Sequence, residues 1–253
     1  MSASDTDIES QFKFVTVAEP AAYIEQEFTL AAEQGKRVLF ILGSSWCHDS
    51  RSLAEKLGDE SLSDTIKKYY RVSMIDIGFL ERGFEFTQLA NMKTYYATPT
   101  VLIFDANTRQ LDNAANLHQW ANAYEISQSD TKQYFQDYAQ SSERTQTNDV
   151  LNLTAPSETI SQAVSEKTLQ LETFVAKQEQ RIKDAYLIIG PLLKAYKENE
   201  SPENFEEYWG EVRALRMQLP SDIANIKKQI LEAPSRPIEF PDYPAFTWEE
   251  QSE

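Results

Sequence analysis

The chain has one cysteine, two histidines, no basic tract and no long apolar run, and each shortage excludes something. A single cysteine, Cys47, rules out an intramolecular disulfide framework. Cys47, His48 and Asp49 are adjacent rather than convergent, and His118 is the only other histidine, so no metal site is expected. Against 24 lysines and arginines stand 40 aspartates and glutamates, a net charge of −16. Such a surface repels nucleic acid and anionic membranes, and neither is an expected partner. No apolar stretch approaches the ~18 residues that a membrane-spanning helix needs. The first residues, MSASDTDIESQ, are acidic and polar, with no charged-then-apolar export pattern. With the lone thiol, this sets the expectation of a cytoplasmic protein.

What is present is the composition of a folded protein: 253 residues, 41% hydrophobic and 11% aromatic, enough for one or two domains. The stretch from Arg37 to Leu57 organises it. Val38 to Leu42 is an apolar run of buried-strand length. Gly43, Ser44 and Ser45 break that pattern, and from Cys47 a helical pattern takes over with Leu53, Ala54 and Leu57 on one face. A strand feeding a turn and then a helix places Cys47 at a helix N-terminus. Free N–H groups and the positive end of the helix dipole stabilise an anion there, and a thiolate is an anion.

Trp46-Cys47-His48-Asp49-Ser50 resembles the W-C-x-x-C active site of the thioredoxin-like family, with serine in place of the second cysteine. Tyr96-Ala97-Thr98-Pro99-Thr100, followed by the apolar run Val101 to Phe104, resembles the cis-proline loop and next strand of that family. The resemblance covers the first half of the chain and implies a monothiol W-C-x-x-S variant. It implies an α/β thioredoxin-like fold, a central mixed sheet flanked by helices. It also implies a catalytic Cys47 with Trp46, His48, Asp49 and Ser50 around it, and a substrate groove shaped by Thr98 and a cis Pro99. Ser50 stands where the family has its resolving cysteine, so an external thiol must release the mixed disulfide. The resemblance implies no bound cofactor, with glutathione the candidate reductant. Ile41 occupies the position of the family's buried acid and cannot shuttle a proton. Beside these stand plainer readings, in which Cys47 is an inert half-buried thiol and Pro99 a trans proline opening a strand. Iron–sulfur binding after the manner of monothiol glutaredoxins would need a C-G-F-S motif that the chain lacks.

Taken in order, residues 1–9 are expected to be disordered and 10–141 to form the thioredoxin-like domain. A linker follows at 142–157, then a helical region at 158–232 and an extended proline- and aromatic-bearing tail at 233–253. Within the first domain an edge strand is expected near Phe12 to Val17 and a last strand near Gln110 to Asn113. A helix opens at Pro20, and further strands lie at Val72–Ile77 and Val101–Phe104. Beyond the linker, Val164, Thr168, Leu171, Val175, Gln178, Ile182, Ala185, Ile189, Leu192 and Tyr196 form one amphipathic seam, with a kink at Gly190-Pro191. Ser201-Pro202 opens a second helix and Pro220-Ser221 a third. So long a seam must be covered by the other helices, by the sheet domain, or across a homodimer formed through the C-terminal helices.

Two functions fit. One is monothiol thiol–disulfide exchange or deglutathionylation, with protein or glutathione mixed disulfides as substrates. The other is a non-catalytic protein-binding or oligomerisation module that keeps the groove without the chemistry.

Overall fold

The computed structural model describes residues 12–140 and 158–250. The expected disordered N-terminus at 1–9 and the linker at 142–157 lie outside them. The chain divides into two compact units, Met1–Glu143 and Arg144–Glu253.

In the first unit β1 (Arg37–Gly43) is central because both of its faces are apolar; Val38 to Leu42 are fully buried. It pairs in parallel with β2 (Tyr70–Asp76), Ile41 opposite Met74, and antiparallel with β3 (Thr100–Phe104), Ile41 opposite Val101. The sheet order is β2-β1-β3. One face carries Leu39 and Ile41 into a cluster with Leu53, Leu57, Ile66, Met74, Trp120 and Phe135. It is covered by α2 (His48–Gly58) and α3 (Glu60–Tyr69), and Phe135 lies on α5 (Gln128–Gln140). On the other face Phe40 meets Phe28, Phe86 and Phe104 edge to face at centroid distances of 5.0–6.2 Å. Phe28 comes from α1 (Pro20–Glu33) and Phe86 from α4 (Phe84–Gln88). The result is a mixed sheet flanked by helices, the α/β class expected.

Both strands expected at the sheet edges shrink to single bridges, Val15 with Ile75 and Leu111 with Phe104. The second has a clear physical reason. The Asn113 side chain accepts the Ile103 N–H at 2.9 Å and donates to the Val101 carbonyl at 2.8 Å. A buried amide thus satisfies the β3 edge groups that a further strand would have taken. Two short 3₁₀ turns, Ala114–Asn116 and Gln119–Asn122, follow before α5.

The second unit is built on α6 (Glu158–Lys197) and α7 (Phe205–Glu232), which corrects the expectation of three helices. Pro191 and Pro220 both lie inside helices. Each proline forfeits one backbone hydrogen bond, but the buried stripe continues past it, through Ile189 and Leu193 in α6 and through Leu219 and Ile226 in α7. The helix expected from Ser201-Pro202 begins instead at Phe205, after Asn204 in the left-handed region at φ 61°. The α6 seam is buried at Leu171, Gln178, Ile182, Ala185 and Ile189, then shifts to Leu193, leaving Tyr196 46% exposed. A spacing of alternating fours and threes averages 3.5 residues and drifts around a helix of 3.6. The tail folds back onto the helices. Phe240 stacks on Phe174 at 4.7 Å, and the Tyr243 hydroxyl donates to Asp222 at 2.7 Å. Arg181 pairs with Glu249 at 2.7 Å and lies 4.1 Å from the centre of the Phe246 ring. A last turn, α8 (Thr247–Glu250), is held by Thr247 donating to Glu211 at 2.6 Å. Among the described residues no helix is long and apolar enough to cross a membrane.

Candidate functional site

The site grows out of the end of β1. A Cβ on Gly43 would lie 2.6 Å from the Phe14 ring and 2.7 Å from the Ser50 hydroxyl, so only a glycine fits where the strand turns. The Cys47 N–H donates to the Ser44 carbonyl at 3.1 Å and closes the turn. Arg51 braces it by donating to the Ser45 carbonyl at 2.8 Å. Cys47 is then the N-cap of α2, with extended backbone angles of −83° and 126°. Its own carbonyl accepts from the Arg51 N–H at 3.1 Å, so the helix starts immediately after the sulfur.

Sheet pairing brings the second motif to the same place. Leu42 is opposite Thr100, which sets the residues before β3 beside those after β1. The half-buried Cys47 thiol donates to the Thr98 carbonyl at 3.2 Å. The Thr98–Pro99 peptide bond is cis, and both residues are buried. The Thr98 hydroxyl oxygen is buried and has no hydrogen-bond partner among the described residues.

Two aromatic groups flank the thiol turn. Trp46 is half-buried; its indole N–H donates to the Gly78 carbonyl at 2.6 Å and its ring stacks on Phe79, centroids 6.1 Å apart. Gly78 sits at φ +61°, the left-handed region, in the turn after β2. On the other side the exposed His48 ring lies 4.2 Å from Tyr124. Asp49 accepts the Tyr124 N–H at 2.9 Å. Its carboxylate is therefore engaged by a neighbouring loop. Lys56 ties the same loop to α2 through the Ala123 and Tyr124 carbonyls at 2.5 and 3.3 Å. Burial pushes the Lys56 ammonium below its ordinary range, and the Asp49 carboxylate opposes that shift.

Ser50 is fully buried beneath the turn, its hydroxyl accepting the Ser44 N–H at 3.4 Å. Ile41 is fully buried in the core cluster. The structure thus places Trp46, Cys47, Thr98 and Pro99 together and His48 and Asp49 at their rim, with Ser50 inside. Phe79, Gly78, Tyr124 and Lys56 were not legible as neighbours, because nothing in the spacing of a loop residue tells which helix it will meet. Among the described residues no group of three or more His, Cys, Asp or Glu side chains is arranged to hold a metal ion.

No protein-family profile and no curated protein matches the chain. Among solved structures, the crystal structure of a disulphide isomerase from Xylella fastidiosa Temecula1 is similar, with 20% sequence identity and a TM-score of 0.44, over 49% of this chain and 95% of that one.

Proposed function

We propose that the first unit carries out thiol–disulfide exchange through one sulfur. The observation that carries this reading is the position of Cys47, the N-cap of α2 with its sulfur 3.2 Å from the Thr98 carbonyl and next to the cis Pro99. The first-turn N–H groups of α2 stabilise negative charge at that end of the helix, typically by ~0.3–1 kcal/mol. An extended substrate segment pairing with the Thr98 backbone takes over the carbonyl and frees the thiol for attack. The Cys47 thiolate then bonds to one sulfur of a protein–glutathione disulfide, and the protein leaves as its thiolate. A second glutathione attacks the Cys47-bound sulfur, forming glutathione disulfide and returning the Cys47 thiolate. In sum, one free glutathione is oxidised, ending in glutathione disulfide with the glutathione already held in the mixed disulfide, and one protein thiol is set free. Ser50, buried and hydrogen-bonded to Ser44, supplies no sulfur for an internal resolving step.

Incubation of the full chain with a glutathionylated peptide, followed by mass spectrometry, tests this. A glutathione adduct at Cys47 should accumulate and persist until free thiol is added, and Cys47→Ser should form none. Insulin reduction driven by thioredoxin reductase should be almost nil. A folded chain whose Cys47 never takes up glutathione would leave a second reading, a peptide-binding module. That reading is favoured by the hydrogen bond that occupies the thiol and by Ile41 in place of an acid.

A further inference from the structure

The opposite end of the sheet holds a second, chemically different hollow. Its volume is about 280 Å³, and Tyr23, Glu27, Gln34, Lys36, Lys67 and Arg71 are among the residues around it. Lys36 comes just before β1, Lys67 lies in the last turn of α3, and Arg71 is the second residue of β2. They converge at the amino ends of two parallel strands, since Arg37 is paired with Tyr70. Cys47 follows the carboxyl end of β1, so a strand length, roughly 20 Å at ~3.3 Å per residue, separates the two places.

The charges there do not cancel. Glu27 is 3% exposed and is held by Arg71 through contacts of 2.6 and 2.8 Å, with the Ser73 hydroxyl donating to it at 3.2 Å. Tyr23 completes the chain by donating to Ser73 at 3.0 Å. Glu27 and Arg71 thus form a neutral, rigid floor. Lys36 and Lys67 line the same hollow with no ion pair or hydrogen bond from either ammonium among the described residues. A chain of net charge −16 has acidic groups in excess, and leaves these two cations uncompensated around one hollow.

The plainer explanation is that both lysines offset the negative ends of α1 and α3. That accounts for their presence near helix ends, yet among the described residues neither ammonium hydrogen-bonds a closing carbonyl. The closing carbonyls are already taken by backbone N–H groups: Ala31 by Lys36, Leu30 by Gln34 and Ile66 by Tyr70. The ammonium groups remain for something else.

We propose that this hollow is a binding site for a phosphate-class dianion. Lys36 and Lys67 supply its charge, the Gln34 amide a further donor, and the Glu27–Arg71 pair its floor. The volume holds several waters at ~30 Å³ each, more than a phosphate group requires, so a phosphomonoester with a small organic part fits as well as the free ion.

Calorimetric titration of the full chain with inorganic phosphate, and separately with glycerol phosphate, tests the site against sodium chloride at matched ionic strength. Saturable binding of a phosphate probe is expected, and the tighter of the two tells whether the free ion or an ester is the ligand. Lys36→Gln and Lys67→Gln should each weaken it about two- to fivefold, and the pair about tenfold or more. Glu27→Gln should act in the opposite direction, because Arg71 is then released to bind the anion. Should Glu27→Gln fail to fold, the two exposed-side lysine variants decide the question. Absence of saturable binding by both probes, or binding that the double lysine variant leaves unchanged, would overturn the proposal.

Discussion

Replacing Ser50 with cysteine probes the one-sulfur chemistry most directly. Residues three apart at a helix start have Cβ atoms about 5–6 Å apart, and a disulfide needs ~3.5–4.5 Å, so the first turn must tighten by a small amount. Cys47 sits on the flexible side of that turn, as an N-cap with extended angles rather than a full helical residue. The cost comes from packing. Ser50 is fully buried, and its surroundings are so full that a methyl group on Gly43 would come within 2.7 Å of its oxygen. A larger atom there costs about 1–3 kcal/mol by overpacking. The Ser44 N–H also loses a good acceptor, for about 1 kcal/mol more, part of which the burial of a less polar atom offsets. A net loss of about 2 kcal/mol, with a urea slope of roughly 1–3 kcal/mol/M, lowers the unfolding midpoint by about 1 M. The chemistry should change qualitatively. Mixed with glutathione disulfide and no reductant, the natural chain should hold its adduct. Ser50→Cys should pass through the adduct to an internal disulfide, releasing glutathione, as a mass-spectrometric time course will record. A folded variant that keeps its adduct as long as the natural chain, or a natural chain that sheds it unaided, would refute the reasoning.

Three further outcomes follow from the packing. Gly43→Ala should cost about 1–3 kcal/mol in denaturant unfolding, since the new methyl group meets Phe14 and Ser50 well inside van der Waals distance. Pro220→Ala restores the missing bond from residue 220 to the Arg216 carbonyl and should raise thermal stability by about 1 kcal/mol or more; no change would mean that α7 has fitted itself around the ring. Glu249 governs the tail. Burial alone would raise its carboxyl, but Arg181 and the Phe246 N–H outweigh that and hold it below the usual range. Its folded value is therefore lower than the unfolded ~4.3, so its contribution is present above that pH and is lost as pH falls through the folded value. Hydrogen exchange should show residues 234–250 opening as pH falls below that unfolded value, and Arg181→Ala should open them at neutral pH.

What could be read from the sequence was what local pattern determines. Val38 to Leu42 is apolar on both faces and became the central strand; the glycine–serine break after it became the turn that carries Cys47. Two motifs about fifty positions apart named Trp46, Cys47, Thr98 and Pro99, and the antiparallel pairing of Leu42 with Thr100 set them side by side. The missed features were long-range or lay in single side chains. No strand pattern reveals that the Asn113 amide will serve the edge of β3, and helix propensity overstates what Pro191 and Pro220 do when a buried stripe runs past them. The aromatic tail gave no hint of its partners, because Phe174, Arg181 and Asp222 are distant in sequence. Lys36, Lys67 and Arg71 come from a loop, a helix and a strand and share only a position at one end of the sheet.

The edges of that sheet carry a consequence for how the chain behaves when it is cut or crowded. Three strands leave two outer rims, and a bare rim is a template on which another copy can lay a strand. Here each rim is blocked by very little. On β2, Val15 alone donates to the Met74 carbonyl at 3.0 Å and accepts from Asp76 at 2.9 Å. On β3, the Asn113 amide shares the work with the Asp112 N–H, which donates to Ile103 at 2.8 Å. Neither blocker is anchored by a strand of its own. Trimming the chain past Val15 would uncover the β2 rim and take the core residue Phe12 and its neighbour Phe14 with it, whereas exchanging Asn113 for an apolar residue would uncover part of the β3 rim while the core stood. The damage would then register as self-association of folded molecules before any loss of secondary structure.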